Sequence, residues 1–326
     1  MGELAAAGVR PGDVIVLQPA DRLGPEPPDP RSELPPEVRP EVRWRVHDFD
    51  AKDGCGYLAS SAGGERLYVA RDALEADVII TVGQIAYDSV IGYRGTNSVF
   101  YPGLSNAEAA QRAQGQGHSE LGPEHERPLR LLTDEVGWLL GAQFTVQTLP
   151  AADGGVLDVV AGLAEPVLRR AKKLLARDWT VQPDFRCDLV LASVDGSSPG
   201  DPWRKLAAAA HAAHGIVARG GKIVLLSDID AEIGDGLTIL RESAEPADAL
   251  QPLRNIAPPD MLPAMQLASA ADWAVVYLLS ELEDDLAEDL FLTPLQDHDE
   301  LERLLARVST CAMLESAEFI SARVAE

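Results

Sequence analysis

The sequence predicts an α/β protein, with two α/β domains of mainly parallel sheets and a cleft between them. Three observations carry that prediction. Val78-Ile79-Ile80-Thr81-Val82 is a β-branched apolar run of the length of a buried strand; Gly83 ends it. A loop rich in glycine and hydrogen-bonding side chains follows, and Ser105 and Asn106 are placed to cap a helix from Ala107. The same order returns at residues 187–194, an apolar strand leading through the polar loop 195–202 to a helix that starts near Trp203. Finally, 326 residues with 46% apolar content are long for one core and suit two domains. Strand, polar loop and helix together put functional side chains at the carboxyl edge of a sheet, where open α/β folds bind ligands.

In chain order, residues 5–17 give a short helix or turn and then a first strand at 13–17. Eight prolines between Pro19 and Pro40 block helix and central strand alike and predict an extended surface loop. Residues 107–116 form an alanine- and glutamine-rich helix, and 129–140 an amphipathic one. Residues 143–149 alternate as a half-buried strand, and 155–162 form another. A helix over 165–175, with Arg169, Arg170, Lys172 and Lys173 toward its C-terminus, closes a first domain at 1–176. Residues 178–186 read as a linker, and a second domain spans 187–326. There Gly220-Gly221 resembles a helix C-cap before a strand at 223–226, and residues 273–279 are a further strand. Residues 281–289 are an exposed acidic helix or loop. Residues 299–310 are an amphipathic helix, with Leu301, Leu304, Leu305 and Val308 on one face.

Composition narrows the function. A net charge of −24 argues against nucleic acid and anionic membranes as partners, since phosphate binding needs Lys/Arg clusters. Cys55, Cys187 and Cys311 are few, odd in number and far apart, which predicts free thiols in a reducing compartment. No leader-like or membrane-length apolar segment is present, so the expected location is cytoplasmic. Gly220-Gly221-Lys222 lacks the order of a phosphate loop, and no G-x-G-x-x-G follows a strand. His211 and His214 share a helix face, but no acidic or Cys partner for a metal is near in sequence. Asp228, Asp230 and Glu232 end a strand and suit either acid/base work or a solvated loop.

The stretch Gly83-Gln-Ile-Ala-Tyr-Asp-Ser-Val-Ile-Gly-Tyr-Arg-Gly-Thr-Asn-Ser-Val-Phe-Tyr-Pro-Gly103 resembles the signature of the nickel-dependent lactate racemase family, roughly G-x-I-x-P-H-x-x-A-G-Y-S-G-G-x-K-x-x-x-P-G. Gly83, Ile85, Gly92, Tyr93, Gly95, Pro102 and Gly103 fall in register without a gap. The resemblance resumes at residues 45–50 and at the loop before Trp203. It implies a nickel-pincer nucleotide between the domains and the racemisation of a 2-hydroxy acid by hydride abstraction and return. It places the cofactor against Tyr93, Arg94, Gly95, Thr96, Asn97 and Ser98, and against Asp201, Trp203 and Lys205.

The chemical positions differ from the pattern. The family's acid/base histidine falls on Asp88, and its cofactor-bearing lysine on Ser98; the other acid/base histidine has no counterpart. Asp88 is the candidate base. His47 is a second catalytic candidate, or a structural hydrogen-bonder at a strand end. His118, one helical turn beyond strict register, is the candidate nickel ligand. Two readings stay open: a racemase or epimerase with the pincer cofactor, or a fold kept for binding a small molecule or for another mechanism. The implied partner is a small-molecule substrate, and a homo-oligomer is open.

Overall fold

The computed structural model describes residues 1–21, 24, 26–115, 125–152, 154–196 and 200–325. The chain opens with α1 (Gly2–Ala6), then β1 (Ile15–Pro19) and β2 (Arg43–His47), which pair in parallel. β1 begins two residues later than the sequence predicts, because Pro11 starts a single 3-10 turn over Pro11–Asp13. The described residues of the proline segment lack α-helix and central strand, as expected. Within it, Arg31 grips Asp29 at 2.8 Å beside the 3-10 turn Pro30–Glu33.

A hairpin of β3 (Cys55–Ser60) and β4 (Arg66–Ala70) precedes α2 (Arg71–Leu74) and β5 (Ile80–Gln84). β6 (Ala86–Asp88) and β7 (Gly92–Arg94) form a second hairpin, followed by α3 (Ala107–Gly115), α4 (Pro128–Leu139), β8 (Phe144–Pro150), β9 (Val156–Gly162) and α5 (Ala164–Asp178). Asn106 accepts from the Ala109 amide and caps α3, while the Ser105 hydroxyl donates to the Pro102 carbonyl.

β5, β8 and β9 make a three-stranded sheet in that order, β5 parallel and β9 antiparallel to the central β8. The expectation of a buried strand at 78–82 is corrected here. β5 is an edge strand, and Val78, Ile80 and Val82 are 67%, 44% and 74% exposed. Residues of the other face, Thr81, Thr145, Gln147 and Leu149, are buried. Phe144 lies opposite Ile80, and Val159 is exposed on β9, so the outward face is largely apolar. A β-branched run therefore identified a strand here without identifying which of its faces is covered.

β10 (Thr180–Val181) occupies the segment read as a linker and pairs in parallel with β16 (Ser321–Ala322), so the C-terminal end of the chain returns to this junction. Between them lie β11 (Cys187–Ser193), α6 (Pro202–Ile216), β12 (Val217–Leu226), α7 (Asp235–Arg241), α8 (Leu250–Ile256) and α9 (Met261–Trp273). β13 (Val275–Leu279), α10 (Asp284–Asp289), β14 (Leu292–Pro294), α11 (His298–Leu305) and β15 (Cys311–Leu314) complete the order. Five strands form one all-parallel sheet in the order β14-β13-β12-β11-β15. α6 and α9 belong to the core on one face. On the other, Leu301, Leu304, Leu305 and Val308, the face predicted from sequence, pack against Leu189, Leu191 and Val224.

Two boundaries in this region differ from expectation. Gly220 and Gly221 do not cap a helix: α6 already ends at Ile216, and the glycines lie inside β12 where its register against β11 shifts. Trp273 ends α9 instead of starting β13, and its indole donates to the Val217 carbonyl at 3.1 Å.

The largest core joins the two halves. It contains Ile85, Ala86, Tyr93 and Leu149 together with the buried face of α5, the inner residues of α6 and α9, and Phe319. Alanines at 207, 209, 210, 212 and 213 are all buried, and their small side chains let α6 lie close to its neighbours. Gly215 belongs to the same arrangement. A Cβ there would strike the carbonyl oxygen of Ala322, which is backbone and cannot rotate away. Gly215→Ala is expected to destabilise the fold by about 2 kcal/mol, read as a lowered midpoint in thermal unfolding. No helix among the described residues is long and apolar enough to cross a membrane.

Candidate functional site

The parallel sheet has its topological switch point beside β11, with β12 on one side and β15 on the other. In open α/β sheets the crevice outside the carboxyl ends of such strands is where ligands bind. The loop after β11 carries Asp195 and leads to Asp201 and α6; the turn after β15 carries Glu318. The β6–β7 hairpin from the other half faces the same crevice. Gln266 of α9 donates to the Ser89 hydroxyl at 3.1 Å and ties the hairpin to this wall.

Two adjoining cavities fill the cleft, of about 420 and 320 Å³. Asp21, Asp88, Arg94 and Arg204 line both. The larger reaches Phe49, Ser98 and Leu129 and is mostly apolar, whereas the smaller reaches Asp201, Lys205, His211, Gln266 and Glu318.

Each wall is held by local chemistry. Asp88 Oδ1 accepts from the Val90 and Ile91 amides, an Asx turn that shapes the β6–β7 hairpin. Gly92 follows at φ +84°, and a Cβ there would lie 2.8 Å from a guanidinium nitrogen of buried Arg127. Only glycine satisfies both the backbone and the space. Asp201 is the N-cap of α6 and accepts from the Trp203 and Arg204 amides at 3.4 and 2.9 Å. Burial raises its pKa despite those donors. Lys205 Nζ donates to the Asp195 carbonyl at 3.0 Å.

Charge in the cleft is unevenly partnered. Arg94, half-buried, donates to Gln84 at 3.2 Å and lies over the Phe319 ring, 5.8 Å from its centroid. Burial lowers its pKa, Asp88 and Glu318 raise it, and Arg204 lowers it further. Arg204 reaches Asp21 only at 3.9 Å. Glu318, 9% exposed, accepts from the Asp195 amide on Oε1, while its buried Oε2 has no hydrogen-bond partner. Burial first, and then Asp195, raise its pKa. Burial, with His214 and Arg127, lowers His211 to about 4, so this imidazole is neutral.

The candidates named from sequence divide in two. Asp88, Arg94, Ser98, Asp201 and Lys205 line the cleft. Tyr93, Gly95, Thr96, Asn97 and Trp203 stand behind it as framework. Tyr93 is buried edge-on to Tyr87 with Lys172 over its ring, and Trp203 donates to the Glu232 carbonyl. Thr96 donates its amide to Gln147 and accepts from Arg130, and Asn97 donates to Asp134. His47 lies outside both cavities: Nε2 is 2.8 Å from the Ser105 carbonyl, and the ring meets Phe49 edge-on. His118 lies outside the described residues. His211 and His214 have ring centroids 6.5 Å apart, and His214 packs edge-on against Trp273.

The residues present do not fit a tethered nickel-pincer nucleotide. Ser98 stands where the tethering lysine would be, and its hydroxyl is taken by the Gly95 amide at 2.8 Å. Lys205, across the cleft, is turned onto a backbone carbonyl. Among the described residues no group of three His, Cys, Asp or Glu side chains is placed to hold a metal.

Arg204, Gln266 and Glu318 were not legible as site residues. Arg204 had a signal, the first turn of a capped helix after a switch-point strand; Glu318 had none, because strand order alone brings it beside Asp195.

Comparisons with known proteins agree with this architecture. The sequence model of the lactate racemase N-terminal domain matches residues 1–118. No curated protein matches the chain. The fold is similar to that of the lactate racemase apoprotein from Thermoanaerobacterium thermosaccharolyticum, with TM-score 0.80 and 17% identity over 95% of this chain and 78% of that one. A protein from Thermotoga maritima is also similar, with TM-score 0.63 and 14% identity over 87% of this chain and 79% of that one. Residues 1–118 therefore match the lactate racemase N-terminal domain, and the chain as a whole has a fold similar to that of a lactate racemase.

Proposed function

We propose that the cleft binds a small carboxylate, of the 2-hydroxy acid class that the family relationship suggests, and does so without a covalently tethered nickel-pincer nucleotide. The observation that carries this reading is Arg94. A guanidinium stays charged at any working pH, and this one faces the cavity with a neutral amide as its hydrogen-bond partner. A carboxylate ligand supplies the missing anion, with Arg204 across the same cavity as a second donor. Asp21 and Asp88 around the arginines disfavour a ligand of higher negative charge, such as a phosphate.

The racemase reading keeps one observation in its favour: Asp88, at the position of the acid/base histidine, lines both cavities. Its Oδ1 is engaged by two amides, leaving Oδ2 for a ligand hydroxyl. Such a base acts only with a hydride acceptor, which Ser98 does not tether.

Metal analysis and intact mass, on protein produced together with the enzymes that make the pincer nucleotide, separate the two. An unmodified mass with no stoichiometric nickel, and calorimetric binding of lactate, are the expected results. Stoichiometric nickel or a nucleotide mass increment would overturn the proposal in favour of the racemase.

A further inference from the structure

We propose that Glu318 is a specificity-determining residue of the cleft, holding the hydroxyl or oxo oxygen beside the carboxylate of the bound anion. This rests on the carboxylate reading above and adds to it a second point of recognition. Glu318 lies in the 3-10 turn Ala317–Phe319, entered through Ser316 at φ +49°, directly after β15. That turn brings the carboxyl to the switch point. The Asp195 amide fixes Oε1 at 3.1 Å and so orients the group.

Oε2 is the informative atom. It is buried, it has no hydrogen-bond partner among the described residues, and its residue lines the cavity that Arg94 and Arg204 also line. Buried polar atoms are nearly always paired, so one that faces a ligand cavity is a candidate partner for the ligand. Arg94 lies over the ring of Phe319, the next residue, and its charge is felt at Glu318. A carboxylate on Arg94 thus brings its α-substituent within the neighbourhood of Oε2.

Burial first, and then Asp195, raise the pKa of Glu318, opposed by the backbone amides on its carboxyl and by Lys205, and Arg94 is the other charged group facing it. The carboxyl accepts from a ligand hydroxyl in either form, and when protonated it also donates to an oxo group. A ligand without the oxygen leaves the buried group unpaired and is disfavoured.

Lactate and propionate, which differ by one hydroxyl, make the test by titration calorimetry on the full chain at neutral pH. Wild-type protein is expected to prefer lactate by about tenfold. Glu318→Gln, which keeps a donor and an acceptor, should retain that preference. Glu318→Leu should bring the ratio to about one, by removing the partner of the lactate hydroxyl and the buried group that propionate leaves unpaired, and Glu318→Asp, which withdraws the carboxyl by one methylene, serves if the leucine variant does not fold. No wild-type preference, a preserved preference in the leucine or aspartate variant, or a lost one in the glutamine variant overturns the proposal. Failure of the carboxylate reading looks different: neither acid binds wild-type protein, and the Glu318 proposal then falls with it.

Discussion

Arg130→Leu is expected to lower stability by about 3–4 kcal/mol, the largest effect of any single side-chain replacement argued for this chain. Arg130 is buried on α4, and its guanidinium meets both oxygens of Asp134, at 2.9 and 2.6 Å. It also donates to the Tyr93 carbonyl at 3.1 Å and to the Thr96 hydroxyl at 2.8 Å. Leucine matches some of the stem but none of the donors. It strands two acceptors inside the protein and leaves the 93–98 loop tied to α4 chiefly through the Asn97–Asp134 hydrogen bond. Asp134 itself is partly exposed and can be rehydrated, which keeps the loss below that of a fully buried pair. Urea denaturation measures the loss, and hydrogen exchange should show the Thr96 amide losing protection first. A change below about 1 kcal/mol would mean that the network behaves as a surface ion pair.

The second large effect is on binding. Arg94→Gln is expected to weaken lactate binding about 100-fold, equivalent to about 2.7 kcal/mol. Arg204→Gln should cost less, because Arg204 is more exposed and already shares Asp21. Stability should move the other way. Arg94 is held in the fold without a close carboxylate, so removing its charge leaves the protein as stable as before or slightly more so. Calorimetry and thermal unfolding on the same variant check both halves of this expectation. Unchanged affinity would remove Arg94 from the site, and a large drop in Tm would make it framework.

Much of the architecture was legible in sequence because the local signals were strong and agreed with each other. The polar loop before Trp203 announced a helix, and α6 begins there at Pro202. The stripe Leu301, Leu304, Leu305 and Val308 announced a covered face, and that face is covered. Boundaries failed where tertiary pairing overrode propensity, as at Gly220-Gly221, whose turn-like chemistry is used for a register shift within a strand. The site was half legible. Arg94, Ser98 and Asp201 line the cleft, but Thr96 and Asn97 have hydrogen-bonding side chains spent on holding the loop. Motif spacing reports which residues share a loop; it does not report which way each one points. Glu318 lies outside any motif, and 123 positions separate it from the Asp195 amide it accepts from.

The outward face of the β5–β8–β9 sheet has a colloidal consequence. Val78, Ile80, Val82 and Phe144 present apolar surface next to a strand edge with open backbone donors and acceptors, the arrangement through which sheets adhere to one another. Against such adhesion stands the net charge of −24, a long-range repulsion between copies of the whole chain. That protection is a property of the solvent as much as of the chain: the screening length is about 30 Å at 0.01 M salt and about 8 Å at 0.15 M. Association through the bare sheet is therefore expected to be weakest in dilute buffer and to rise with added salt, as light scattering over that range would read.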